Sequence, residues 1–261
     1  MPHKPPQQRD VDVGSWRMRI KGLQREAEQL LDVVLPTRCL ACGDGAHPDE
    51  QRLLCLSCSA GWRRLPEGCL RCGLPDDTQA LPFTCEKCLQ TPPHFARARA
   101  LAAYDGTMPA LVRTLKEVHG RRLATYFGIK LAEQVTTLFP GPLPTLVVPV
   151  PLHWQRLLTR GFNQALRLAE PVAERLQIPL VDALRRATPI HKQAWLGKRA
   201  RNQNQQLAIQ VEPAEAARLS GQHVLVIDDV YTTGSTGNLC TQALKAAGAA
   251  EVDVLTLART L

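Results

Sequence analysis

Aromatic residues and long apolar runs are both scarce in this sequence. Phe, Trp and Tyr make up 5% of the 261 residues, so we expect a core built mainly from aliphatic side chains. No apolar run reaches the ~18 residues that a membrane-spanning helix needs, so we expect neither a transmembrane protein nor a membrane partner. Residues 1–22 are charged and no apolar stretch follows them, so we expect no signal peptide and a cytoplasmic location.

Acidic residues are missing from one stretch, and the chain as a whole is basic. The formal net charge is +8, and residues 101–220 hold 16 Lys and Arg against 8 Asp and Glu. Residues 183–211 contain no acid. Such an excess predicts an anionic partner, and a phosphorylated small molecule, nucleic acid or a membrane surface would each satisfy it.

Eight of the nine cysteines form two copies of one pattern, C-x2-C-x12-C-x2-C. Each cysteine of the second copy lies 30 residues after its counterpart, and together they are Cys39, Cys42, Cys55, Cys58, Cys69, Cys72, Cys85 and Cys88. A fixed period of this kind indicates a duplicated unit. Four thiolates at this spacing are typical of a closed, structural Zn²⁺ site, so two zinc ions are expected.

Other interpretations of these cysteines fit less well. Disulfides are rare in a cytoplasmic chain, and redox C-x-x-C motifs usually occur singly at the start of a helix. The duplication favours sequential pairing of the C-x-x-C turns, while the interleaved pairing of cross-braced fingers stays open. Gly43 and Gly73 follow the first pair of each copy, where a tight turn favours a positive φ. Cys240 stands apart in an apolar helical stretch and is predicted to be a buried hydrophobe.

A buried strand followed by two acids and a hydroxyl-rich turn lies near the C-terminus. Residues 224–227 are an unbroken aliphatic run, and Asp228 and Asp229 come directly after them. The next turn contains Thr232, Thr233, Gly234, Ser235 and Thr236, and a helix ending near Gly248 and a strand at 252–257 follow. Backbone N–H groups at such a turn and helix start can hold a phosphate, while the carboxylates suit ribose hydroxyls or Mg²⁺. A strand–turn–helix with a surface acidic pair is the alternative.

Residues 224–236, VLVIDDVYTTGST, resemble the phosphoribosyl-pyrophosphate (PRPP) signature of type I phosphoribosyltransferases. The resemblance implies that Asp228 and Asp229 contact the ribose hydroxyls and that Thr232 to Thr236 bind the 5′-phosphate. Together with the duplicated cysteine pattern, the chain resembles the ComF (ComFC) family of competence proteins over residues 30–261. The segments VVPVPLHWQRLLTRGFNQA at 147–165 and KQAWLGKRARNQN at 192–204 also carry this resemblance.

The middle of the chain contains two groups of candidate anion ligands. A strand at 145–150 should lead into a loop at 151–159, with Arg156 and Arg160, before a helix that Pro171 kinks or splits. The resemblance implies that the loop after this strand touches pyrophosphate. It also implies that the basic stretch around Trp195 closes over PRPP, with these candidate ligands: Lys192, Arg199 and Arg201. The same stretch could track a single-stranded backbone or be a solvated loop.

These observations predict a flexible arm or short helix at 1–36, a double zinc ribbon at 37–92, and a phosphoribosyltransferase-like domain at 95–261. Strands alternating with helices imply an α/β, Rossmann-like fold with a parallel sheet, including a strand at 98–104 and helices at 108–115 and 122–138. The resemblance implies a Mg²⁺-dependent PRPP-binding protein that handles incoming single-stranded DNA, with competence helicase or recombination proteins as partners. A nucleotide-salvage transferase and a non-catalytic, PRPP-sensing DNA-binding adaptor are the alternatives.

Overall fold

The computed structural model describes residues 38–44, 53–76, 82–186 and 209–261. The expectation for residues 1–36 and the candidate ligands Lys192, Arg199 and Arg201 lie outside these ranges. The described helices are α1 (Leu56–Ala60), α2 (Glu86–Gln90), α3 (Met108–Leu115), α4 (Arg121–Leu138), α5 (Trp154–Arg160), α6 (Gln164–Leu176), α7 (Ala216–Leu219) and α8 (Ser235–Ala246). The strands are β1 (Arg97–Ala103), β2 (Leu146–Pro149), β3 (Leu184–Arg186), β4 (Ile209–Val211), β5 (His223–Tyr231) and β6 (Glu251–Arg259).

Four parallel strands form the main sheet in the order β1-β6-β5-β2. This confirms the predicted α/β fold. The strands β3 and β4 pair separately as an antiparallel ribbon. The central strand β5 continues through Asp228 and Asp229 to Tyr231, because the ladder with β6 extends to the pair Tyr231 and Arg259. The two acids therefore lie within the last paired residues of β5 and β6 rather than after the end of the strand.

Helices cover both faces of this sheet. Leu225 and Ile227 belong to the core beneath α3, α4 and α6, whereas Val224 and Val226 belong to the core beneath α8. Neighbouring strand residues point to opposite faces, so an unbroken aliphatic run fits a strand that is buried on both sides. The expected strand at 98–104 and helices at 108–115 and 122–138 are present to within one residue at each end.

In the middle of the chain, the expected loop at 151–159 is wrong, and so is the alternative that Pro171 splits the following helix. Residues 154–160 form α5, not a loop: the ring of His153 accepts the N–H of Gln155 at 3.3 Å, and Gly161 ends the helix at φ 76°. Pro171 does not split the next helix, since α6 runs without interruption through it. Pro171 is buried against Gly128 of α4, where an added Cβ would collide with the proline ring. Close packing there holds the proline within the helix.

Both cysteine units lie along the outer edge of the sheet. The N–H of Ala98 donates to the carbonyl of Arg71 at 2.7 Å, and the N–H of Ala103 donates to that of Arg63 at 2.9 Å. Edge strands carry unpaired backbone groups that invite pairing with another chain. The two units thus pair much of the β1 edge. Among the described residues, no helix has the length and apolarity required to cross a membrane.

Candidate phosphate site and zinc centres

The eight paired cysteines form two separate clusters, and the pairing is sequential. In each cluster, one made by the first four cysteines and one by the second four, all sulfur atoms lie within 4.8 Å of one another. The Sγ atoms of Cys42 and Cys55 are 3.9 Å apart, and those of Cys72 and Cys85 are 3.7 Å apart. These distances are far too long for a disulfide, and they match tetrahedral Zn²⁺ with Zn–S bonds of about 2.3 Å. The residues fit zinc.

The local geometry of the two clusters is duplicated as well. Gly43 and Gly73 have φ values of 78° and 69°, which confirms the predicted tight turns. The N–H of Cys55 donates to the sulfur of Cys39 at 3.3 Å, and the same 3.3 Å bond joins Cys85 to Cys69. Such donors stabilise thiolates, the form that binds metal. Cys240, the remaining cysteine, is fully buried in α8 as expected.

The turn between β5 and α8 has the geometry of an anion cradle. Gly234 has φ 82° and precedes the 12-residue helix α8, and an added Cβ there would collide with the hydroxyl of Tyr231. The hydroxyl of Thr233 accepts the N–H of Ser235 at 3.3 Å and lies 2.8 Å from its hydroxyl oxygen. Within the described ranges, no acceptor takes the N–H of Thr233 or Gly234. These donors and the positive end of the helix dipole favour an anion at this exposed turn.

The two acids before this turn have different surroundings. Asp229 is 7% exposed, and its Oδ2 lies 3.2 Å from Nζ of Lys116 and 3.4 Å from Nε2 of Gln164. Asp228 accepts the N–H of Asp229 at 2.8 Å. Burial, and secondly the carboxylate of Asp229, raise the pKa of Asp228 well above its ordinary value. A ligand that donates hydroxyl groups or brings a cation would favour the ionised form of Asp228.

Arg160 is the one described candidate among the four predicted pyrophosphate ligands, and it belongs to this site. Its guanidinium donates to Oε1 of Gln164 at 3.1 Å, and Gln164 in turn donates to Asp229. We did not single out Gln164 or Lys116 as site residues from the sequence. Gln164 lies in the segment RGFNQ that carries the family resemblance, which was an available signal. Lys116, the C-cap of α3, had no sequence signal.

A third cluster of potential ligands at the opposite end of the sheet is an ion-pair network. His223, Glu251 and Asp253 lie within 4.8 Å of one another. Arg97 donates to both oxygens of Asp253, at 3.1 and 2.6 Å, and a guanidinium in that position occupies the lone pairs that a metal would need. We therefore assign the three residues to stabilising the start of β5 and β6.

Comparisons with known proteins agree with these two units. The family model described as a double zinc ribbon domain matches residues 30–89, and the one described as a phosphoribosyl transferase domain matches residues 163–260. The DNA utilization protein YhgH of Salmonella typhi is 34% identical over 212 residues, which cover 80% of this chain and 91% of that protein. Competence protein F of Haemophilus influenzae is 29% identical over 229 residues, which cover 85% and 96%.

Among solved structures, the glutamine PRPP amidotransferase from B. subtilis is similar to this chain, with 19% identity and a TM-score of 0.39. The similar region covers 54% of this chain and 28% of the amidotransferase chain. A likeness at that score carries no argument about function. The sequence matches are decisive, because relatives at this identity are covered over nearly their whole length. The chain belongs to the ComF family of competence and DNA utilization proteins, in which a double zinc ribbon is joined to a phosphoribosyltransferase domain.

Proposed function

We propose that this protein binds PRPP together with Mg²⁺ at the carboxyl end of the main sheet. The observation that carries the proposal is the turn at 232–236, which contains free N–H groups and begins three residues after Asp229. Asp229 is buried and Asp228 is half-buried. This arrangement supports the proposal, because ribose 5-phosphate carries a phosphate that N–H groups can bind and a diol that carboxylates can accept. The match of residues 163–260 to the phosphoribosyl transferase model supports the same ligand.

In this proposal each part of the site has one role. The turn containing Thr232, Thr233, Gly234, Ser235 and Thr236 binds the 5′-phosphate. Asp228 and Asp229 accept hydrogen bonds from the ribose hydroxyls, and Lys116 and Gln164 hold Asp229 in place for that contact. Arg160 and the basic stretch with Lys192, Arg199 and Arg201 bind pyrophosphate. Mg²⁺, when bound, neutralises part of the pyrophosphate charge.

If a transfer takes place, pyrophosphate leaves the anomeric carbon of the ribose as an acceptor attacks that carbon. The C–O bond to pyrophosphate breaks, its electron pair leaves with the pyrophosphate, and positive charge develops on the ribose ring. The carboxylates of Asp228 and Asp229, which contact the ribose in this proposal, would stabilise that charge.

Calorimetric titration with PRPP and MgCl₂ tests the proposal. We expect saturable binding by the zinc-loaded protein and its loss in the double variant Asp228→Asn, Asp229→Asn. Asp105→Asn is a matched control, because Asp105 is an exposed partner of Arg63 and should leave binding unchanged. Unaltered affinity in the double variant would refute the site. Pyrophosphate release in a panel of free bases and amines would establish a transferase, whereas binding without release would favour the PRPP-sensing adaptor.

We propose single-stranded DNA as a second ligand, since the relatives are named for DNA utilization and competence. Helix α5 supports this, because it has no buried residue and exposes Trp154 and Leu158, 45% and 76% accessible, beside Arg156. Exposed aromatic and basic side chains suit base stacking and phosphate contacts. A cleft of about 540 Å³ adjoins this helix and includes Arg121, Arg167 and Arg185.

Fluorescence anisotropy with a labelled single-stranded oligonucleotide at several salt concentrations tests this second ligand. The pair Trp154→Ala and Arg156→Ala should weaken binding about tenfold or more and reduce the salt dependence, because a stacked base is worth about 1–3 kcal/mol. Arg218→Ala, an exposed arginine of α7, is the control for loss of charge. Equal binding by both variants would exclude α5 as the DNA surface.

Competence helicase or recombination proteins, encountered in the cytoplasm, are the proposed protein partners.

A further inference from the structure

The second zinc ribbon touches the proposed phosphate turn directly. Lys87 lies on α2, between the zinc ligands Cys85 and Cys88, and its Nζ donates to the backbone carbonyl of Thr233 at 3.1 Å. Shortly after the ribbon, the N–H of His94 donates to Oδ1 of Asn238 in the first turns of α8, at 2.7 Å. The turn at 232–236 and the first turn of α8 therefore each have a partner on the ribbon side.

The carbonyl that Lys87 holds belongs to the peptide between Thr233 and Gly234. In a trans peptide the C=O and the N–H point in opposite directions. An ammonium group on the carbonyl side therefore orients the N–H of Gly234 away from the ribbon. Within the described ranges this N–H has no acceptor, so it is free for a ligand. A cation on the carbonyl also polarises the peptide and makes its N–H a stronger donor.

A second set of contacts joins the same ribbon to the residue before the turn. Arg259, 7% exposed at the end of β6, donates to the carbonyl of Cys72 and lies 3.8 Å from its sulfur. The guanidinium carbon of Arg259 lies 4.5 Å from the ring centroid of Tyr231, and the hydroxyl of Tyr231 occupies the space that a side chain at Gly234 would need. The metal knuckle, the tyrosine and the turn therefore form one packed unit.

The first ribbon has no equivalent of this lysine. The residue 30 positions before Lys87 is Ser57, whose hydroxyl oxygen lies 3.1 Å from the sulfur of Cys55 within its own ribbon. The duplication therefore does not account for the lysine, since the zinc fold is built without it in the first copy. Its contact is with the phosphate turn, 146 positions away in the sequence.

We propose that Lys87 is a positioning residue for anion binding, which holds the Thr233 peptide so that the N–H of Gly234 faces the ligand phosphate. The inference rests on the proposed PRPP site. It makes the second zinc ribbon a structural part of that site, so that a folded ribbon is required for full phosphate affinity.

Ribose 5-phosphate is the probe, because it contains the phosphate and the diol without pyrophosphate. In the zinc-loaded protein, Lys87→Met should weaken its binding about tenfold, or about 1.4 kcal/mol, because the charged hydrogen bond that orients the Gly234 N–H is lost. Lys87→Arg should restore most of the affinity. Lys130→Met, which removes the same charge from an exposed pair on α4, should have no effect. Two zinc ions per chain by mass spectrometry would show that the ribbon is intact in each variant.

The amide resonance of Gly234 provides a readout that overall stability does not move. On adding ribose 5-phosphate to ¹⁵N-labelled protein, we expect a downfield shift of the Gly234 amide proton that is strongly reduced in Lys87→Met and retained in Lys130→Met. Equal affinity and equal shifts in the wild type and Lys87→Met would overturn the role of Lys87 alone. Failure of the wild type to bind either ribose 5-phosphate or PRPP would overturn the proposed function and this inference together.

Discussion

The two zinc ribbons have the same spacing and the same local geometry but contact different parts of the molecule. The first is joined to α3, where the hydroxyl of Thr114 donates to the carbonyl of Leu40 at 2.8 Å, and its ligand Cys42 is exposed. All four ligands of the second are buried, and it contacts the phosphate turn through Lys87 and the end of β6 through Arg259. A duplication thus copies a metal site without copying its surroundings.

The two ribbons contact different parts of the molecule because each one packs into the core on a different face of the sheet. The first ribbon belongs to the same core as α3, α4 and α6, and Trp62 packs edge-on against Phe127 at 6.4 Å. The second belongs to the core of α8, the helix that begins at the phosphate turn. Among the described residues, it is the second ribbon that contacts this turn, because the core that it shares with α8 leads there.

Removing one zinc site at a time gives the largest expected effect. Cys69→Ser and Cys39→Ser are equivalent substitutions in the two copies, and each should lower the zinc content to about one ion per chain because a closed four-thiolate site needs every ligand. The affinity for PRPP with Mg²⁺ should fall more than about thirtyfold in Cys69→Ser, through loss of several contacts worth about 1 kcal/mol each, and little in Cys39→Ser. Mass spectrometry and calorimetry measure the two quantities. Equal losses of affinity would contradict the distinction between the ribbons.

A smaller effect is expected from the arginines that join each ribbon to the sheet domain. Arg259→Met removes the donor to the buried carbonyl of Cys72 and should lower the free energy of unfolding by about 1–3 kcal/mol. Arg63→Met breaks an exposed pair with Asp105, which is worth about 0–1 kcal/mol. Urea denaturation in the presence of zinc, with unchanged slope, measures both. A larger loss in Arg63→Met would reverse the comparison.

The pH dependence of PRPP binding should arise from Asp228 and should not require the first zinc ribbon. Because burial and the charge of Asp229 raise the pKa of Asp228, this carboxyl keeps its proton to a higher pH than an ordinary aspartate. The ligand hydroxyls need the ionised form, so affinity should strengthen as the pH rises through the raised pKa, by up to about tenfold per pH unit.

Calorimetry across pH in the wild type, Asp228→Asn and Cys39→Ser measures this dependence. The profile should flatten in Asp228→Asn and remain in Cys39→Ser. Among the described residues, the acids Asp228 and Asp229 have polar contacts with each other, Lys116 and Gln164, and none of these residues belongs to the first ribbon. A flat profile in the wild type would remove Asp228 from the binding site.

Much of the fold could be predicted because its signals are local. The run at 224–227 needed only its apolar side chains to indicate a strand buried on both faces, and Gly43 and Gly73 needed only their place after C-x-x-C. The two errors had different causes. Pro171 stays inside α6 because α4 packs against it at Gly128, which is a tertiary contact. Helix α5 has no buried residue and is instead capped locally by His153 and Gly161, although prolines at 149 and 151 suggested a loop.

By itself, the amino-acid sequence determined the two metal-binding repeats, the acidic pair and the hydroxyl-rich turn, because each is a pattern of neighbouring residues whose chemistry is carried by their spacing. The tertiary structure alone decided the sequential zinc pairing and the partners of Asp229. It also decided which ribbon supports the turn. Lys87 meets Thr233 across 146 positions and Arg259 meets Cys72 across 187. Contacts at such separations form only when the strands assemble into the sheet, since they depend on strand order rather than on any local pattern.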